Sequence, residues 1–213
     1  MLSHHVDSAV PTPRVYVVED DPTLLRATLA MLAGVSSVRL SGFPSAEAFL
    51  AGFDGTAPGV LVLDYLLPGL SGEELLERFF PAPCDVPVVM LSAAATVPLA
   101  VRLVKRGVRD VLEKPASAAR LVELVTQLVG EEREAWPLRA ARRQFLTALG
   151  MLSPREREVM DELLRGGANK DVAVALNISP RTVEIHRGRV LQKMGAASVV
   201  ELMRRREELG LRI

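Results

Sequence analysis

The stretch Val60-Leu-Val-Leu-Asp-Tyr-Leu-Leu-Pro-Gly-Leu-Ser-Gly72 constrains the fold more than any other part of the chain. Four apolar residues run without a break into Asp64, and a Pro-Gly turn follows. An unbroken apolar run of strand length between turn residues fits a strand buried on both faces of a parallel sheet. Open α/β sheets gather their ligand chemistry beyond the carboxyl ends of such strands, so a carboxylate there faces a crevice and not the core. The pattern predicts a site at Asp64.

Similar units repeat on either side of it. Residues 15–18 form an apolar strand that stops at Glu19-Asp20-Asp21-Pro22, and residues 24–33 follow with Leu24, Leu25, Leu29 and Leu32 at helical spacing. A second short strand spans 38–43, and Ser45 is suited to cap a helix over 45–53. After the Asp64 strand come a helix over 72–80, a strand over 86–91 ending at Ser92, and a helix over 97–106. A fifth strand over 108–113 ends at Lys114-Pro115, and an amphipathic helix covers 118–129. Strands alternating with helices predict an α/β, doubly wound, five-stranded parallel sheet with helices on both faces.

Right-handed crossovers bring the carboxyl ends of all these strands to one edge. Glu19, Asp20, Asp64, Ser92 and Lys114 are thereby expected together. Three carboxylates so close raise one another's pKa unless a cation neutralises them, and a hard divalent ion with oxygen ligands, Mg²⁺ by preference, is the economical answer. With the Lys114 ammonium and the Ser92 hydroxyl, the crevice suits an incoming phosphoryl group. Leu66 and Ala94 offer no polar group to orient an attacking water, which predicts slow loss of that group.

At 213 residues and 49% hydrophobic content the chain has room for two packed units. The expected division is a tail over 1–13, the α/β domain over 14–130, a helical linker over 131–150 acting as a solvated spacer, and a second domain over 151–213. Pro137 is expected to separate the last helix of the first domain from the linker helix. No apolar run is long enough to cross a bilayer and the first residues lack a signal-peptide pattern, so a cytoplasmic protein without membrane partners is expected. The single cysteine, Cys84, lies in a proline-rich loop and reads as incidental. Residues 1–130 carry 10 Lys+Arg against 14 Asp+Glu, whereas 151–213 carry 12 against 9, a modest basic bias that suggests an anionic polymer as partner for the back half.

In that back half Ser153-Pro-Arg-Glu156 is a capping box that opens a helix stopped by Gly166-Gly167. Asn169 is suited to cap a second helix over 170–176, and Asn177 suits a left-handed residue after it. Ser179-Pro180 starts a third helix that ends at Gly195, so residues 176–180 are the tight turn of a helix-turn-helix. Val183, Val190, Leu191 and Met194 face inward, and Arg181, Glu184, Ile185, Gly188 and Arg189 form the opposite stripe, suited to base edges. Lys170, Thr182, Arg187, Arg189 and Lys193 are placed to meet phosphates. His186 reads as support for the core or a phosphate. Ser198 caps a fourth helix whose Leu202 and Met203 are available to a partner subunit.

Glu19-Asp20, Asp64 with Leu-Pro-Gly-Leu-Ser-Gly behind it, Ser92-Ala and Glu113-Lys-Pro resemble the flavodoxin-like receiver domain of two-component response regulators across the whole front domain. Leu152-Ser-Pro-Arg-Glu-Arg-Glu-Val159, Asn169-Lys-Asp-Val-Ala173, Ile178 to Arg187 and Lys193-Met-Gly195 resemble the all-α, four-helix, LuxR-type helix-turn-helix domain. The pair is similar to the NarL/FixJ subfamily, on the FixJ side. The resemblance implies a transcription factor without enzymatic activity, phosphorylated on Asp64 by a sensor histidine kinase. It implies Mg²⁺ on Glu19, Asp20, Asp64 and the Leu66 carbonyl, phosphoryl contacts from Ser92 and Lys114, and a cis Lys114-Pro115 peptide. It also implies that phosphorylation frees the DNA-binding domain or dimerises the receivers through residues 97–113, giving a homodimer on activation, with promoter DNA as ligand and RNA polymerase as a partner. At Val111 the family usually carries an aromatic ring that turns inward with phosphorylation; valine is short and restricted at χ1, so coupling is expected to be weaker or rerouted through Ser92. Two other classes fit less well. A haloacid-dehalogenase-type phosphatase needs a second aspartate where Leu66 stands, and a sigma-factor region has no acidic α/β domain before it. The remaining alternative is a receiver that dimerises and binds DNA without phosphorylation.

Overall fold

The computed structural model describes residues 10–79 and 86–211. Cys84, Phe80 and the first nine residues lie outside them. The chain divides into two compact units, Met1–Trp136 and Pro137–Ile213.

In the first unit β1 (Arg14–Val18), α1 (Pro22–Leu32), β2 (Arg39–Phe43), α2 (Ala46–Gly52), β3 (Gly59–Asp64), α3 (Gly72–Phe79), β4 (Val88–Ser92), α4 (Val97–Lys105) and β5 (Asp110–Glu113) alternate, and α5 (Ala118–Gly150) follows. The strands are all parallel in the order β2-β1-β3-β4-β5. Every residue of β3 is buried, as its apolar run requires. Successive side chains alternate between the sheet's faces. Val18, Leu61, Leu63 and Met90 pack with Phe49 of α2, Leu75 of α3 and Leu103 of α4. Val17, Val60, Val62 and Val89 pack on the other side with Leu32 of α1 and Leu121, Val125 and Leu128 of α5. Leu24, expected on the inner face of α1, is 45% exposed, and Thr28 is buried there instead.

The chain leaves β1 for β2 on one side and returns to β3 on the other. The switch in direction therefore lies between β1 and β3, and the crevice opens beyond their carboxyl ends. That crevice lies at Glu19 and Asp64.

The linker expectation needs correction. α5 runs through Pro137 as one helix, and although most of residues 131–150 are exposed or half-buried, its end is not a free spacer, because Phe145 and Leu149 are buried with Leu152 and Met160. An interior proline costs roughly 3 kcal/mol in helical bonding and clash. Leu128 and Val129 are packed before it and Phe145 and Leu149 after it, and that burial outweighs the local penalty.

The second unit continues with α6 (Pro154–Leu164), α7 (Asn169–Ala175), α8 (Pro180–Met194) and α9 (Val199–Glu208). Its caps follow the sequence except at α7. There Ala168 is the N-cap and the Asp171 carboxylate accepts from the Ala168 amide at 3.1 Å, so Asn169 is not the cap. Its side chain instead accepts from Arg187 Nη1 at 3.3 Å. Leu202 is also corrected: it is 1% exposed inside the unit's own core, with Met203 half-buried against it, whereas Val200 is 75% exposed. The stretch around Leu202 is amphipathic, and the core claims its apolar side.

Candidate functional site

The turn after β1 separates its three acids by function. Asp21 caps α1, accepting from Thr23 N at 2.7 Å and Leu24 N at 3.0 Å. Glu19 and Asp20 remain, and with Asp64 they place carboxylate oxygens within 4.8 Å of one another. Glu19 is 2% exposed and Asp64 5%, while Asp20 lies open. Three hard oxygen donors at this spacing, two of them shielded from water, fit a divalent cation.

Lys114 enters the same crevice from the end of β5. Its Nζ lies 2.5 Å from Glu19 Oε2 and 2.9 Å from Asp64 Oδ2. Burial pulls the ammonium's pKa down, but the bonds to the two carboxylates outweigh it and the net direction is upward, so Lys114 stays charged. Burial pushes the Glu19 carboxyl up, and the Lys114 contact only partly offsets this. Ser92, 2% exposed at the end of β4, accepts from Ala94 N at 3.2 Å, and its carbonyl accepts from Lys114 N at 2.9 Å. The Lys114-Pro115 peptide is cis, as expected. Leu66 is 64% exposed and its amide donates to Asp64 Oδ1 at 3.3 Å. Val111 is half-buried against the core on the α3 and α4 side, in register with Met90.

Two features of this region carried little signal in the sequence. A Cβ on Gly72 would lie 2.3 Å from the Asp64 carbonyl oxygen, so only glycine lets α3 start this close to Asp64. Tyr65 hydrogen-bonds Glu73 of α3 and Arg102 of α4, which no local pattern announces.

In the second unit the turn between α7 and α8 is built from paired ends. Asn177 adopts φ 52°, Ile178 N donates to Ala173 O at 3.0 Å, and Arg155 Nη2 of α6 donates to Leu176 O at 2.9 Å. Arg155 is a positioning residue that the capping-box pattern contained but did not reveal. Along α8 the stripe Arg181, Glu184, Ile185, Gly188 and Arg189 is exposed, with Lys170 of α7 also exposed. Arg181 pairs with Glu184 at 2.9 Å across one turn, and a Cβ on Gly188 would meet open space. Thr182 and Arg187 are half-buried; the Thr182 hydroxyl lies 2.8 Å from that of Ser179. His186 buries an Nδ1 that has no hydrogen-bond partner.

Lys193 departs from expectation. Its ammonium donates to Glu156 Oε2 at 2.6 Å and to the Met151 carbonyl at 3.2 Å, so it completes the α6 capping assembly and its charge is neutralised there. Its partner, the buried Glu156 on α6, lies 37 residues earlier, so the fold and not the local spacing sets that pair.

No helix among the described residues is long and apolar enough to cross a membrane. The family described as response regulator receiver domain matches residues 15–126, and the luxR family of bacterial regulatory proteins matches residues 150–205. The transcriptional regulatory protein FixJ of Bradyrhizobium diazoefficiens is 36% identical over 92% of this chain and 96% of its own length. FixJ of Azorhizobium caulinodans is 38% identical over 89% of this chain and 90% of its own. The solved structure of the response regulator StyR is similar at 30% identity and a TM-score of 0.61, covering 92% of this chain and 99% of that one. With a receiver-type sheet, an acidic crevice and a helix-turn-helix unit matched in this order, the chain belongs to the two-component response regulators of the NarL/FixJ subfamily.

Proposed function

We propose that Asp64 is the phosphoacceptor through which this transcription regulator is controlled, and that the modification changes how α8 meets promoter DNA. The observation that carries it is the convergence of Glu19, Asp64, Ser92 and Lys114, from four different strands, on one shielded crevice. An Asp64 carboxylate oxygen attacks the phosphorus of a phosphohistidine on the sensor kinase. The phosphorus–nitrogen bond breaks, its electron pair stays on the imidazole, and an acyl phosphate remains. Lys114 is positioned to move from the carboxylate to the new phosphoryl oxygens as counter-charge. Ser92 Oγ accepts from the Ala94 amide, which leaves its hydroxyl hydrogen as a donor to the phosphoryl group. Glu19, Asp20, Asp64 and the Leu66 carbonyl would hold Mg²⁺, which would supply positive charge against the carboxylates and the incoming phosphoryl group.

The response passes from Ser92 into α4, whose Val97, Val101 and Val104 are 76%, 49% and 52% exposed along one stripe. An apolar stripe of this kind supports homodimerisation on activation, which places two helix-turn-helix units on paired half-sites. On DNA, Arg181, Glu184, Ile185, Gly188 and Arg189 read base edges, while Lys170, Thr182 and Arg187 hold phosphates; RNA polymerase is the downstream partner. The domain division this function needs is a receiver within 14–130 and a DNA-binding domain within 151–213.

Phos-tag mobility after acetyl phosphate treatment, paired with gel shift of wild type against Asp64→Asn, tests the reading. Wild type shifts and gains DNA affinity, and Asp64→Asn does neither. If Asp64→Asn binds DNA as the treated wild type does, the phosphorylation-independent reading motivated by Val111 takes its place.

A further inference from the structure

Strand alternation sends Asp64 into the crevice and the next residue, Tyr65, to the opposite face, under α3 and α4. There the Glu73 carboxylate accepts from Tyr65 Oη at 3.0 Å, from Arg102 Nε at 3.0 Å and Nη2 at 3.1 Å, and lies 2.9 Å from Arg106 Nη1. Arg102 Nη2 also donates to the Tyr65 hydroxyl at 3.2 Å, closing a ring of three side chains from the residue after β3, from α3 and from α4. Arg102 beside it holds the Glu73 carboxyl below its usual range, so the acceptor stays charged.

Two sides of this ring are fixed to the acceptor and one is not. α3 is anchored at its start, where Gly72 N donates to Tyr65 O at 3.3 Å and the Gly72 Cα sits against the Asp64 carbonyl. α4 is joined to the crevice by the short segment that leaves Ser92 and begins the helix at Val97. A hydroxyl drawn toward a phosphoryl group pulls on that segment, while Arg102 and Arg106 hold the helix's later turn to Glu73. Val111 carries no ring to turn inward on this side, and α4 is held by the burial of Leu99 and Leu103 together with the polar ring.

We propose that Tyr65 is a positioning residue for the switch: its phenol and the Glu73 carboxylate latch Arg102, and with it α4, in the arrangement belonging to unmodified Asp64. The arrangement is that of the free carboxylate because Lys114 Nζ lies directly on Asp64 Oδ2. The inference rests on the phosphoacceptor reading above. By linkage, a latch that favours the unmodified arrangement opposes any ligand that mimics the acyl phosphate, and weakening the latch tightens that ligand by the same factor.

The test is a titration of beryllofluoride with Mg²⁺ into the full-length chain, followed by ¹⁹F NMR, for wild type, Tyr65→Phe, Arg102→Met and the double variant. Tyr65→Phe keeps the packed ring and removes one hydroxyl. It is expected to bind beryllofluoride about three- to tenfold more tightly. Arg102→Met gains similarly and the double variant gains little beyond either, since all three break one latch. Amide exchange over residues 97–105 rises in the unliganded variants. Affinity of Tyr65→Phe equal to or weaker than wild type overturns the latch, as does full additivity in the double variant. A wild type that takes up no beryllofluoride instead removes the phosphoacceptor reading itself, and the latch with it.

Discussion

Replacing Glu156 by Gln isolates the most strongly shifted carboxylate of the DNA-binding unit. Glu156 is 3% exposed and accepts from Lys193 Nζ at 2.6 Å and from Ser153 N at 2.8 Å, while its own amide donates to Ser153 Oγ at 3.2 Å. The Lys193 ammonium first, then the Ser153 amide, hold its carboxyl at about 2 against an ordinary 4.5. At about 1.4 kcal/mol per tenfold, that difference corresponds to about 3 kcal/mol. Lys193 is 39% exposed in its side chain, so water screens the pair and the usable figure is about 1–2 kcal/mol. The sign follows from a folded pKa below the unfolded one. The contribution is complete above 4.5 and is lost as pH falls toward about 2. Urea-dependent amide exchange over α6, read in the full chain, measures it. Glu156→Gln should lose about 1–2 kcal/mol at neutral pH, and the gap to wild type should shrink to less than half by about pH 3. A gap that stays constant across that range would show that the stabilisation comes from helix capping geometry and not from the charge.

Other expectations concern the crevice. Gly72→Ala forces a Cβ onto the Asp64 carbonyl at 2.3 Å, and the displacement should cost about 1–3 kcal/mol in thermal stability and weaken beryllofluoride uptake; an unchanged melting curve refutes the contact. Lys114→Met leaves Glu19 and Asp64 without their ammonium, so the chain should melt lower without metal and gain more from added Mg²⁺ than wild type does; equal Mg²⁺ shifts in the two proteins refute this. With Leu66 and Ala94 beside the acceptor and no polar side chain to orient water, the phosphorylated chain should keep its label well beyond seconds on Phos-tag gels.

What was legible in the sequence is what neighbours along the chain decide. The apolar run before Asp64, the acids after Val18, the Ser153 box and the left-handed Asn177 are local patterns. Strand period, capping and backbone sterics turn them into elements with little outside help. The rule that parallel strands end on one edge then carried Glu19, Asp64, Ser92 and Lys114 to one crevice. Other contacts are set by partners far apart in sequence. Arg102 lies 37 residues from Tyr65, and no spacing rule relates the two. Lys193 looks like a phosphate contact until Glu156, 37 residues earlier, is folded against it. Leu202 looks like an interface residue until its own core encloses it. Pro137 does fall where the two units divide, but the helix break expected there is absent, and packed residues on either side accompany the continuous helix. Local sequence selects the elements because backbone and capping energies act over a few residues; tertiary structure decides which charge meets which and which apolar face is used, because those energies exist only once distant segments share a surface.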